Sequence, residues 1–205
     1  MTNIAVFASG YGSNLQALIA FEEKYGFGNG KIVLVFSNNA EAFALERAKK
    51  KQIKTRTFSP KDYRSREEYD GAIDLMLEHA GIDLIVLAGY MLLLGPAITQ
   101  KYKNRVINIH PALLPSFKGT HGIKDAFEYG VKITGVTVHF VDEGLDSGPV
   151  IMQEAVKIEQ EDALEMLEEK IHAAEHKIYP LAVQHFCQGE ISIKGRKVFI
   201  DSSKL

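Results

Sequence analysis

Three short runs constrain this chain more than anything else in it: residues 4–8 read IAVFA, 32–36 read IVLVF and 84–88 read LIVLA. Each is apolar on both faces and partly β-branched. A strand with one wet face alternates apolar and polar residues, so continuous apolar runs of this length fit strands buried on both sides of a parallel sheet. Helical patterns lie between them. Residues 14–25 carry Leu15, Leu18 and Ile19 at helical spacing, 42–50 carry Phe43 and Leu45 ahead of a basic end, and 65–79 open on a capping-box pattern with Ser65 as cap and Glu68 three positions on. The alternation predicts an α/β fold: a right-handed, wound, mostly parallel sheet flanked by helices.

The second half reads differently. Residues 106–109 form a strand that runs into a proline-rich loop, HPALLPSFKG. Residues 134–141 alternate, as a strand in a mixed region does, and 150–156 are placed to pair with them. A long helix is predicted from 163 to about 187, with Glu159, Glu161, Asp162 and Glu165 complementing the dipole at its start. The tail, 191–200, reads as a hairpin around Lys194-Gly195.

Composition narrows the classes of function. With 205 residues, 46% hydrophobic and 24% charged, the chain suits one folded domain and excludes a disordered one. A net charge of −2 calls for no nucleic-acid partner. No basic run precedes the first apolar stretch, so no signal peptide is read, and no apolar run approaches the ~18 residues of a membrane span. The single cysteine, Cys187, excludes an intramolecular disulfide and fits a reducing, cytoplasmic setting.

The first chemical signal is S-G-Y-G-S-N, residues 9–14, between the first strand and the first helix. Gly10 and Gly12 permit a tight turn, and N–H groups at a helix start attract an anion. A dinucleotide fingerprint would want a third glycine where Leu15 stands and an acid near Ser37-Asn38-Asn39. A single phosphate monoester fits better, and a glycine turn that only caps a helix fits the same pattern.

The second signal is Asn108-Ile109-His110-Pro111, at the end of a predicted strand. In extended backbone Asn108 and His110 point the same way. An amide N–H can stabilise an oxyanion, and an imidazole can move protons near neutral pH. A carboxylate would orient the ring and favour its protonated form, and Asp146 in L-D-S-G-P is the candidate. On its residues alone, an Asn-x-His pair at a strand end is more often a hydrogen-bonding loop device than a catalytic pair.

The stretches SGYGSNLQA, VFSN, ALERA, SREEYD, VLAGYM, NIHPALLPSFKG, GVTVHFVDEGLDSGPVI and EHKIYP occur in order along the chain, up to about residue 190. Together they resemble the folate-dependent formyltransferase family, in its glycinamide ribonucleotide branch. The resemblance implies a Rossmann-like formyltransferase fold. It also implies transfer of a formyl group from 10-formyltetrahydrofolate to the amine of 5-phosphoribosylglycinamide, a step of purine synthesis, with formylfolate as co-substrate and no metal. Asn108, His110 and Asp146 match the family's catalytic residues. Gly12, Ser13, Asn14, His172 and Glu175 match its contacts to the phosphorylated amine. Arg66, Met91, Leu92, Leu93, Leu94, Asn108, His121, Asp142, Glu143, Gly144, Leu145 and Asp146 would frame the folate, the 91–94 and 142–146 segments largely by backbone. Leu92 departs from the arginine often found there, which removes a contact to the folate's glutamate tail. The expected organisation is one domain, 1–205, with a phosphate-binding half (1–105) and a catalytic, folate-binding half (106–205). Dimers occur in such a family.

Other readings stay on the page. His172-x-x-Glu175-His176 matches a zinc-protease pattern but lacks a third ligand. His139 reads as a packed, hydrogen-bonded histidine, Cys187 as structural and Tyr179-Pro180 as a helix kink. A formyltetrahydrofolate deformylase would carry an extra N-terminal domain and a methionyl-tRNA formyltransferase an added C-terminal one. A non-catalytic nucleotide-phosphate-binding module would keep the glycine loop without needing Asn108, His110 and Asp146 together.

Overall fold

The computed structural model describes residues 1–201. Seven strands, β1 (Thr2–Phe7), β2 (Gly30–Ser37), β3 (Lys54–Thr57), β4 (Leu84–Leu87), β5 (Val106–His110), β6 (Ile133–Phe140) and β7 (Val150–Lys157), form one sheet in the order β3-β2-β1-β4-β5-β6-β7. β3 through β5 run parallel, and β6 and β7 are each antiparallel to the strand before them. Six helices accompany them: α1 (Ser13–Tyr25), α2 (Phe43–Lys50), α3 (Arg66–His79), α4 (Pro96–Lys101), α5 (Gly122–Tyr129) and α6 (Leu164–Cys187). A small hairpin, β8 (Ile191–Lys194) and β9 (Lys197–Ile200), follows α6.

The continuous apolar runs are explained by two cores, one on each face of the sheet. Ile4, Val6, Leu84 and Val86 join the core under α1, α2 and α6, whereas Ala5, Phe7, Ile85 and Leu87 join the one under α3 and α4. α6 contributes Leu167, Ile171, Ala174, Ile178, Ala182 and Val183 to its core, and each of the larger side chains stabilises by about 1.5–3 kcal/mol. The helix continues through Pro180, which supplies no N–H to the preceding turn. At α3 Ser65 accepts from the Glu68 N–H, but the Glu68 carboxylate serves the Arg64 N–H.

Three elements were not read from the sequence. β3 is K-T-R-T at the sheet edge, largely exposed, so it offers no apolar run. α4 has six residues, too short for a clear helical period, and α5 went unread although Ile123, Ala126 and Phe127 fall at helical spacing.

The chain winds from β1 outward to β3, then crosses back to β4 on β1's other side. Loops leaving the carboxyl ends of β1 and β4 therefore turn away from each other and open a crevice, the usual place for ligands in such sheets. No helix among the described residues is long and apolar enough to cross a membrane.

Candidate active site

That crevice is a cavity of about 1030 Å³. Its wall consists of residues 9–14 after β1, 87–94 after β4, 108–111 at the end of β5, Gly119 and Thr120, Val141, and 144–146. Side chains of His139, His172 and Glu175 complete it.

One end is built by the glycine loop. Gly12 precedes α1 with φ 75° and ψ 38°, left-handed backbone that favours glycine. A Cβ there would also lie 2.8 Å from Ala44 Cβ, so the packing of α2 excludes a side chain independently. No side chain caps α1 and no acid sits in its first turn, which leaves the positive end of the helix facing the cavity. Asn14 Nδ2 donates to Glu175 Oε2 at 3.0 Å, while Asn14 Oδ1 is buried with no partner. A buried unpaired carbonyl oxygen is costly, and a ligand N–H or O–H would satisfy it. Glu175 is itself buried, and burial pushes its carboxyl above the usual range despite the Asn14 bond and nearby His172.

The glycine loop is also tied to the neighbouring wall. Ser9 N–H donates to Gly89 O, and Met91 N–H donates to Ser9 Oγ at 2.9 Å. The same hydroxyl donates to Asn38 Oδ1 at 2.5 Å.

The other end lies where β5 stops. Asn108 and His110 both line the cavity, as their spacing requires. The antiparallel register sets His139 opposite Asn108 and Thr137 opposite His110. His139 Nδ1 lies 2.8 Å from Phe140 O, so that nitrogen carries the proton and Nε2, 3.2 Å from Asn108 Nδ2, is the acceptor. Burial, the largest influence, pushes the His139 pKa down and keeps this ring neutral. Asn108 thus has one N–H committed and one available to the cavity. His110 Nε2 lies 2.7 Å from Phe117 O, and His110 Nδ1 lies 3.5 Å from Asp146 Oδ2. Both nitrogens of His110 therefore face acceptors, an arrangement matched to a doubly protonated ring. Asp146 has φ 47°, accepts from the Gly119 N–H at 2.9 Å, and stands 3.7 Å from His139 Nε2 with its other oxygen. One carboxylate is set between two histidines.

His139 is thus packed and hydrogen-bonded, as the sequence suggested, but it also contacts both Asn108 and Asp146. The opposition of Asn108 and His139 depends on the antiparallel register of β5 against β6. The pairing itself was not legible.

The 91–94 segment covers the middle of the cavity. Met91 and Leu93 are exposed, whereas Leu92 and Leu94 pack against the core under α3. Leu92 thus serves as an apolar anchor. Arg66 is not on the cavity wall: its Nε donates to both Asp70 oxygens at 2.9 Å, and its Nη2 donates to Leu93 O. It braces the segment from behind. Asp142 is likewise a loop former, accepting from Ser147 Oγ and the Gly144 N–H. Glu143 turns away to Gln100 Nε2 at 3.1 Å, and His121 is the exposed residue preceding α5. These last two stand outside the cavity because one answers α4 and the other starts a surface helix. Gly144, Leu145 and Asp146 do line it.

Among the described residues the zinc pattern gains no third ligand. His172 and His176 stack with ring centroids 6.4 Å apart, and Glu190 is held by His185 at 2.6 Å. No group of three His, Cys, Asp or Glu side chains is placed to hold a metal among the described residues.

Comparison with known proteins finds relatives over most of the chain. The human trifunctional purine biosynthetic protein adenosine-3 is 44% identical over 93% of this chain, which spans 19% of that protein's length. The phosphoribosylglycinamide formyltransferase of Bacillus subtilis is 42% identical, over 90% of this chain and 94% of its own. Among solved structures, glycinamide ribonucleotide transformylase 1 of Symbiobacterium toebii superposes with a TM-score of 0.94 at 42% identity, covering 98% of this chain and 94% of its own. The family model described as formyl transferase matches residues 2–183, a span that contains the glycine loop, the end of β5, Asp146 and Glu175. With its fold and most of its length in common with these proteins, the chain belongs to the formyl transferase family.

Proposed function

We propose that this chain transfers the formyl group of 10-formyltetrahydrofolate to the amine of 5-phosphoribosylglycinamide, giving the N-formyl product and tetrahydrofolate. The observation that carries this reading is a single cavity with an anion-binding helix start at one end and Asn108, His110 and Asp146 at the other. A phosphorylated amine spanning that cavity brings its nitrogen to the end of β5. Relatives named phosphoribosylglycinamide formyltransferase and glycinamide ribonucleotide transformylase, alignable over nearly the whole chain, support the amine acceptor and the formyl transfer, and the folate donor follows from the family resemblance.

The neutral amine attacks the formyl carbon, a C–N bond forms, and the carbonyl oxygen becomes an oxyanion. The free Asn108 N–H donates to it, and protonated His110, beside Asp146, stabilises its charge. While Nε2 is held by Phe117 O, His110 acts as a nearby cation; turning from that carbonyl lets it donate directly. The intermediate collapses as the bond to folate N10 breaks, and the amine's proton passes to that nitrogen. Buried Glu175 and the unpaired Asn14 Oδ1 hold the substrate between its phosphate and its amine. Residues 91–94 and 144–146 hold the folate, with Arg66 fixing the first of these through Leu93 O.

Mixing the protein with both substrates and following formyl transfer tests the proposal. Product with the amine present, and little formate without it, is the expected result. Formate release independent of the amine would indicate a deformylase, and binding without turnover a non-catalytic module.

A further inference from the structure

The E-H-K-I-Y-P stretch places Glu175 on the cavity wall, but Tyr179 one turn later does not reach it. Tyr179 is fully buried. Its hydroxyl donates to Leu87 O at 2.8 Å and Ile107 O at 3.1 Å, one proton shared by two carbonyls. These carbonyls belong to the last residue of β4 and the residue before Asn108.

The β4–β5 register ends at Leu87 opposite Asn108. The Ala88 N–H donates to Phe7 O on β1, and β5 also pairs with β6. A carbonyl oxygen has two lone pairs, so each of these two can take a donor beyond the strand ladder, and Tyr179 supplies one to both. Burial raises its pKa well above that of a free tyrosine, so the donor persists at any working pH.

We propose that the Tyr179 hydroxyl is a positioning group for formyl transfer. By tying the end of β4 to the end of β5 it sets the separation between the 88–94 segment and the Asn108 amide. With Glu175 holding Asn14, α6 then grips the glycine loop and the ends of β4 and β5 from one element. The inference rests on reading the cavity as the formyl-transfer site. Removing the hydroxyl deletes this cross-link between the two strand ends, and a misplacement of about 1 Å can cost roughly 100-fold in rate.

Tyr179→Phe keeps the ring and deletes the hydrogen bonds. Its kcat should fall at least about tenfold, with the KM of the phosphorylated amine within about twofold of wild type. Leu167→Ala, a packing change on the same helix away from the cavity, should lower the melting temperature yet keep kcat within about twofold. p-Aminophenylalanine at position 179 restores donors and should recover most of the rate. A Tyr179→Phe kcat near wild type, or an equal loss in Leu167→Ala, overturns the proposal. Should the phenylalanine variant not fold, 3-fluorotyrosine at 179 alters only the strength of the donor; an unchanged kcat then overturns the proposal and a changed one supports it. Wild-type inactivity would refute the functional reading alone, because the NMR signal of the Asn108 side-chain amide reads the strand ends without substrate. That signal should shift when the donor is removed or altered, and its constancy would overturn the positioning role.

Discussion

Replacing Asp146 with asparagine removes one negative charge and keeps the side chain's size. That charge stands 3.5 Å from His110 Nδ1 and 3.7 Å from His139 Nε2, on a side chain only 9% exposed. Two unit charges at 3.5 Å attract by roughly 5 kcal/mol at an effective dielectric of about 20, which bounds the effect from above. The asparagine oxygen can still accept from the Gly119 N–H, and asparagine tolerates a φ of 47° better than most residues, so the loop should stand. Loss of one preorganised partner costs about 100- to 1000-fold, or roughly 2.7–4 kcal/mol, which lies inside that bound. We therefore expect kcat to fall several hundred-fold while the folate dissociation constant stays within about threefold. Steady-state rates at saturating levels of both substrates, with folate binding titrated separately, measure the two effects. Normal turnover at saturation together with weakened folate binding would show that Asp146 only shapes its loop, and the electrostatic account would fall.

Three further outcomes are expected. Gly12→Val forces a β-branched residue into φ 75° and against Ala44, so it should lower the melting temperature and weaken the phosphorylated amine more than about tenfold, leaving folate affinity nearly intact; equal loss of both ligands would refute the loop's assignment. Glu175, its carboxyl raised by burial, binds its proton more tightly folded than unfolded, so its contribution is present below pH 4.5 and is lost as pH rises through the folded midpoint. Melting curves of ligand-free Glu175→Gln from acid to neutral pH should show a flatter decline than wild type, and an identical slope would disprove the linkage. Activity should survive prolonged chelation; loss restored by zinc would revive the His172-His176 pattern.

How much of this was legible in the sequence depended on whether the determinant was local. The strands at 4–8, 32–36 and 84–88 announced themselves because burial on both faces leaves no room for polar residues. The shared direction of Asn108 and His110 followed from extended geometry alone. β3 was hidden because an edge strand needs no apolar run. His139's contact with Asn108 was hidden because register between strands depends on a pairing that neither strand's own pattern encodes. Arg66 shows a different limit. It was expected to frame the folate, but it stands off the cavity wall and its guanidinium serves Asp70 and Leu93 O, a choice set by the neighbouring backbone. The reason for Gly12 was also only half visible: the turn required glycine, and the pressure from Ala44 emerged only with α2 in place.

Ser9 stands between the two loops, bonded to Gly89 O and the Met91 N–H on one side and to Asn38 on the other. A ligand that stiffens the glycine loop therefore stiffens part of the 91–94 segment, and the second ligand meets backbone whose ordering has already been done. The two affinities become thermodynamically linked. Whatever factor the phosphorylated amine adds to folate binding, folate must return to the amine, since the free energy around the cycle closes. Calorimetric titration of each ligand with and without the other should give the same factor both ways, and a factor of one would mean that the Ser9 bridge transmits nothing.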